Sequence, residues 1–157
     1  KKKTAYDISL GLVGSEMCIR NRYSSILPNV RKTLETLKNK NTMLIILSSS
    51  DGKPSHKRKR IIKSGLAGYF DEIIIVGEDF GNRLEAIKYI SRKHQVGLSE
   101  IVFVDDKPKP INEVSRIKDI ITVKVDFKGV LKKAWAEECK PTYRIKKFSE
   151  ILQIVDP

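Results

Sequence analysis

At 157 residues and 40% hydrophobic content, the chain is long enough for one domain with a buried core, and its composition excludes a disordered or disulfide-stapled protein. No apolar run approaches the roughly 20 residues needed to span a bilayer. Cys18 and Cys139 have no metal or redox spacing, which suits reduced thiols in a cytoplasmic setting. The net charge of +12 favours anionic partners without specifying them.

The first 22 residues read differently from the rest. Residues 2–22 resemble a translated sequencing-library adapter, with Asp7 and Asn21 as single-residue variants of that string. Residues 1–22 are therefore expected to be a non-native scar, and residues 23–157 the folded domain. A secretory leader is the rival reading, from the lysine start and the apolar stretch at residues 10–13, but Asp7 interrupts it and no small-residue cleavage pattern follows. Setting residues 1–22 aside removes five cations and two acids and leaves a charge of +9.

Further on, helical and strand-like segments alternate. Residues 28–38 place Val30, Leu34 and Leu37 on one helical face, with Pro28 near the start, where a missing N–H does no harm. Residues 42–47 form a buried-strand run that stops at Ser48-Ser49-Ser50-Asp51-Gly52. Residues 54–64 predict a basic helix with Ile61 and Ile62 near its end and Gly65 as its stop. Its run His56-Lys57-Arg58-Lys59-Arg60 can meet a phosphate backbone, but no aromatics interleave to stack bases. A solvated helix face is the plainer reading, and steering of anionic substrates toward Ser48 is a third.

Ile73-Ile74-Ile75-Val76 is the next strand, closed by Gly77. Residues 82–93 predict a helix with Leu84, Ile87 and Ile90 inward and Asn82 as its cap. Residues 101–104 form a strand that ends in Asp105 and Asp106, followed by the break Lys107-Pro108. Ile111, Val114 and Ile117 line a short helix, and residues 120–125 form a strand that stops at Asp126. His56 and His94 stand alone in polar helical stretches and read as surface residues.

Near-continuous apolar strands alternating with helices imply a parallel sheet covered on both faces, whose ligands sit at the carboxyl ends of the strands. Two adjacent acids at such an end repel each other. They are either solvated or hold a hard divalent ion such as Mg²⁺, which takes oxygen ligands and shares them with phosphate.

Across roughly residues 25–155 the chain resembles the haloacid dehalogenase-like (HAD) hydrolase superfamily. Ile45-Ile46-Leu47-Ser48 matches that family's second motif and Val104-Asp105-Asp106 its fourth. Residues 65–73 look like its helix-to-strand turn, and residues 142–152 like its last strand and closing helix. The resemblance implies an α/β fold, a Rossmann-like three-layer core with a parallel sheet. It also implies Mg²⁺-dependent hydrolysis of a small phosphorylated substrate through an aspartyl-phosphate. On that reading Ser48 binds the transferring phosphoryl group with help from Ser49, and Asp105 and Asp106 position Mg²⁺. The cation of the third motif is Arg83, with Lys88 as second candidate. Arg keeps the charge and binds phosphate bidentately but does not reproduce a compact ammonium.

The family's first motif, a strand followed by Asp-x-Asp, supplies the nucleophile, and the chain shows no match to it. Asp7-Ile8-Ser9 follows a poor strand and has Ser where the second Asp belongs. The expectation is a sheet missing its native central strand and two bare edges. Such a chain would be inactive, marginally stable and prone to aggregate. Residues 6–13 have too little β-branched content to fill the gap attractively. Two other classes compete. A response-regulator receiver carries its acid pair on the first strand, and too little chain follows Asp106 to complete that sheet. A non-catalytic basic α/β module would bind nucleic acid or another polyanion through residues 53–63.

Overall fold

The computed structural model describes the backbone of residues 5–8 and all of residues 26–126 and 137–155. In chain order the elements are β1 (Ala5–Ile8), α1 (Val30–Asn39), β2 (Met43–Ser49), α2 (His56–Lys63), β3 (Glu72–Val76), α3 (Arg83–His94), β4 (Ile101–Asp105), α4 (Pro108–Val114), β5 (Ile121–Val125), β6 (Tyr143–Ile145) and α5 (Ile151–Val155). The strands make one six-stranded sheet in the order β3-β2-β1-β4-β5-β6, with every pairing parallel.

The alternation of side chains along the strands divides the core into two layers. Leu44 and Ile46 of β2 and Val102 and Val104 of β4 join Val30, Leu34 and Leu37 of α1 on one face. Ile45, Leu47, Ile101 and Phe103 join Ile87 and Ile90 of α3 and Ile111 of α4 on the other. Burial on both faces is why these strands read as unbroken apolar runs, and the parallel α/β architecture is as the sequence implies.

The central position is where the structure departs from expectation. Ala5–Ile8, short of β-branched residues, pairs with both β2 and β4. Two flanking strands expose rows of unpaired N–H and C=O groups, and any extended segment between them gains both ladders. That gain overrides weak local propensity. The other residues of the expected scar, including Cys18, lie outside the described residues.

Helix boundaries follow capping chemistry. Asn82 accepts a hydrogen bond from the Glu85 backbone N–H at 2.9 Å and starts α3 as expected. Gly65 follows α2 at φ +72°, a left-handed conformation that glycine adopts without strain. Pro28 lies outside α1, which begins at Val30 after Asn29. Ile117 lies beyond α4, which closes at Val114. Leu84, expected inside, is exposed, because α3 turns Arg83 inward with Ile87 and Ile90.

His94 is half-buried, not a lone surface residue. Its Nε2 lies 3.0 Å from Glu72 Oε2, while Tyr89 Oη and Lys93 Nζ donate to Glu72 Oε1 at 2.8 and 3.0 Å. Burial pushes the Glu72 pKa up, but these hydrogen bonds outweigh it and hold the group below the ordinary carboxylate range.

Gln95 closes α3 in the left-handed region, at φ +54°. Glycine is the residue that adopts this conformation freely. Gln95→Gly is expected to stabilise the fold by about 0.5–1 kcal/mol in chemical denaturation, and a lower midpoint would refute the assignment.

Candidate active site

At the carboxyl edge of the sheet, β2 ends in Ser48 and Ser49 and β4 ends in Asp105, with Asp106 next. They line a cleft of about 630 Å³ together with Arg83 from the first turn of α3 and Glu113 from α4. The loop after β2 and the start of α2 add Ser50, Gly52 and Lys57.

Asp105 and Asp106 are 2% and 4% exposed. Lys107 backbone N–H donates to Asp105 Oδ1 at 2.8 Å, but Asp106 Oδ1 is buried with no hydrogen-bond partner. Burial and, next, the Asp105 charge push the Asp106 pKa from 3.8 up to about 7, against a smaller opposing pull from Lys107. Among the described residues, neither carboxylate is ion-paired. Two buried neighbouring carboxylates, one with an orphaned oxygen, are a donor set that suits a hard cation. Among the described residues, no cluster of three or more acids, histidines or cysteines forms. That count fits Mg²⁺, which keeps several waters and uses one or two carboxylates plus substrate oxygens.

Arg83 is 9% exposed. Its Nη1 donates to Glu113 Oε2 at 2.8 Å and its Nη2 to Ser49 Oγ at 2.6 Å, and its Nε is buried and unpartnered. The guanidinium is thus held by two partners, with its Nε unpartnered. Lys88 is not brought there. It is exposed on α3, and five residues of helix rotate it about 140° from Arg83. Ser48 is buried and Ser49 exposed at the end of β2.

On the central strand, Asp7 lies opposite Ile45 and Phe103. Its backbone is two strand residues, about 7 Å, short of the level of Asp105.

The basic run on α2 is partly neutralised within the chain. Arg58 bonds Asp79 at 2.6 Å and the Ile73 carbonyl at 2.9 Å, Arg60 bonds Asp51 at 2.8 Å, and His56 Nδ1 lies 3.2 Å from the same Asp51. These cations hold the loops around β2 and β3 in place, which lessens the run's fit to a nucleic-acid backbone.

Glu113, Lys57, Lys107 and Lys109 were not singled out as site residues by sequence reasoning. Lys109 and Glu113 lie one helical turn apart, a spacing that puts both on one face of α4. Nothing in the sequence says which face meets the cleft.

A family model described as haloacid dehalogenase-like hydrolase matches residues 16–125. No curated protein matches the chain. Among solved structures, a predicted phosphoglycolate phosphatase from Haemophilus somnus 129pt aligns with 90% of this chain at 20% identity and TM-score 0.69, and the chain spans 61% of that protein. A 2-haloacid dehalogenase from Pseudomonas syringae pv. Tomato DC3000 aligns with 84% of this chain at 20% identity and TM-score 0.62, and 54% of that protein is covered. The YfnB protein of Bacillus subtilis, a structure bound to magnesium, is 13% identical, with 100% of both chains covered and a TM-score of 0.68.

Proposed function

The chain belongs to the haloacid dehalogenase-like hydrolase family, and from that premise we propose that it carries the phosphate-binding and metal-binding machinery of a Mg²⁺-dependent phosphate-monoester hydrolase. The observation that carries this reading is the meeting of Ser48, Arg83, Asp105 and Asp106 in one cleft, with Asp106 Oδ1 and Arg83 Nε both buried and unpartnered there. An orphaned acceptor calls for a cation, and an orphaned donor calls for an anion. A phosphate ester with Mg²⁺ satisfies both.

In this mechanism Ser48 donates its hydroxyl to a non-bridging phosphoryl oxygen, and Ser49 assists. Arg83 offsets charge on the same oxygens, its guanidinium aimed by Glu113. Asp105 and Asp106 would hold Mg²⁺, which when bound stabilises charge developing on the phosphoryl group. The low exposure of both carboxylates strengthens that interaction relative to water. The family reaction requires an aspartate nucleophile, and the position of Asp7 below the level of Asp105 does not suit it for that role. In this reading the chain binds phosphate esters without turning them over.

The test is p-nitrophenyl phosphate hydrolysis with Mg²⁺, run on the full chain beside Asp105→Asn and paired with calorimetric binding of inorganic phosphate. The expected outcome is no turnover in a folded sample, with Mg²⁺-dependent phosphate binding that Asp105→Asn removes. Metal-dependent turnover lost in Asp105→Asn would overturn the inactive reading and place a nucleophile among residues 1–25. Absence of any Mg²⁺-dependent phosphate binding would overturn the phosphohydrolase reading itself.

A further inference from the structure

The chain that leaves β2 forms a wall of the cleft, and that wall is held from outside the site. Ser50 and Gly52 of this loop line the cleft, directly after the Ser48 and Ser49 that the chemistry above uses. Before α2 begins, the backbone passes through Ser55, a non-glycine residue at φ +56°. Such a conformation is unfavourable for a residue with a Cβ and persists only where the surroundings fix it. Ser55 does not fix itself, because it gives α2 no side-chain cap, the usual use of a serine at that position.

What holds the loop is the turn after β3. Glu78 Oε2 accepts the Ser55 backbone N–H at 3.2 Å, and Glu78 Oε1 accepts the Ser50 hydroxyl at 3.3 Å. Ser50 Oγ also accepts the Gly52 N–H at 3.2 Å, and the Ser50 N–H donates to the Val76 carbonyl at 2.8 Å. Gly77 lets the two turns come this close, since a Cβ there would lie 3.3 Å from Ser50 Cβ. One carboxylate thus ties the loop at both ends. Glu78 itself is not among the described residues that line the cleft, so any effect it has on the site passes through the loop.

We infer that Glu78 is a positioning residue for phosphate binding. It presets the loop between β2 and α2 as a wall of the cleft. Through Ser50 it also sets the aim of Ser49, whose Oγ meets Arg83 Nη2 at 2.6 Å. A loop fixed beforehand has less freedom to lose when an anion arrives, which strengthens binding without any contact from Glu78. Asp105 and Asp106 stand at the end of β4, so the acid pair keeps its place whether or not the loop is tied. This inference rests on the phosphohydrolase reading and adds a residue to that same site.

The test compares the full chain with Glu78→Ala and Glu78→Gln. Each is titrated calorimetrically with Mg²⁺ alone and with inorganic phosphate at saturating Mg²⁺, while NMR follows exchange of the Ser55 amide proton. Glu78→Ala is expected to weaken phosphate binding about three- to tenfold and to speed Ser55 exchange about tenfold, as befits one or two lost hydrogen bonds. Its affinity for Mg²⁺ alone should stay unchanged. Glu78→Gln should restore both properties, because its amide can accept from Ser55 and donate to Ser50 Oγ. Unchanged Ser55 exchange in Glu78→Ala would overturn the tie, and faster exchange with unchanged phosphate affinity would overturn the positioning role. A loss that Glu78→Gln does not rescue, or a parallel loss of Mg²⁺ affinity, would also overturn it, by making charge or general damage the cause. Absence of Mg²⁺-dependent phosphate binding in the wild-type chain would overturn the phosphohydrolase reading and this inference with it.

Discussion

Replacing Asp106 with Asn is expected to raise the melting temperature of the metal-free protein by about 5–10 °C at pH 8 and to leave it unchanged near pH 3.5. The carboxyl is 4% exposed beside Asp105, and its pKa is pushed up to about 7. The folded state therefore holds the proton more tightly than the unfolded chain, which releases it near the ordinary 3.8. Below that value both states are protonated, and the side chain adds no penalty. As pH rises toward 7, the unfolded state gains from ionising while the folded state does not, so stability falls. Above about 7 both states are ionised and the loss levels off. Its size is on the order of 2–4 kcal/mol, which for a domain of this length corresponds to roughly 2–4 °C per kcal/mol.

Asn keeps the shape and removes the charge, so its advantage should open between pH 4 and 7 and stay flat above. Millimolar Mg²⁺ should recover much of the same stability in the wild-type chain at pH 8 and little of it in Asp106→Asn. A lower melting temperature for Asp106→Asn at pH 8 without metal would show that the carboxylate is already compensated by the protein, and the case for a cation there would fall. Differential scanning calorimetry across the pH series reads both arms.

Arg83→Met should weaken Mg²⁺-dependent binding of inorganic phosphate by about 10- to 100-fold, the loss of one or two charge-assisted hydrogen bonds. Met fills the space of the arginine stem beside Ile87 and Ile90 on the buried face of α3, so the fold should survive. Glu113, 38% exposed at its side chain, returns to water at small cost. Arg83→Lys should recover only part of the loss, because an ammonium cannot keep Glu113 and Ser49 while also reaching a phosphate. Lys88→Met should leave binding unchanged. Were Lys88→Met the damaging substitution instead, the assignment of the cation to Arg83 would be wrong.

Much of the architecture was legible because its physics is local. β2, β3 and β4 carry near-continuous apolar runs with a sharp stop, as burial on both faces requires, and β5 is recognisable from Ile121, Val123 and Val125 although Thr122 and Lys124 interrupt it. Once the sheet is parallel, those stops share one edge, and Ser48, Asp105 and Asp106 meet without any further information. The choice between Arg83 and Lys88 was also present in the sequence, though it was left open. Arg83 shares the i, i+4, i+7 stripe of Ile87 and Ile90, whereas Lys88 does not.

What the sequence hid is what depends on distant partners. The four residues of β1 have no strand pattern of their own and are extended because β2 and β4 offer hydrogen bonds on both sides. His94 is half-buried only because Glu72, at the start of β3, comes within 3.0 Å of it. Glu113 meets Arg83 only once α4 is packed on β4.

The central strand is the earliest in the chain, yet Ala5 pairs with Met43 on one side and Ile101 on the other. At a synthesis rate of about 5–20 residues per second, roughly 5–20 s separate the emergence of β1 from that of its second partner. During that interval β2 and β3 can pair with each other while one edge of β2 stays open. Assembly of the sheet is thus a late and non-local event, and refolding from denaturant should be slow for a domain of this size. The same interval is when the chain is most exposed to edge-to-edge association with other copies of itself.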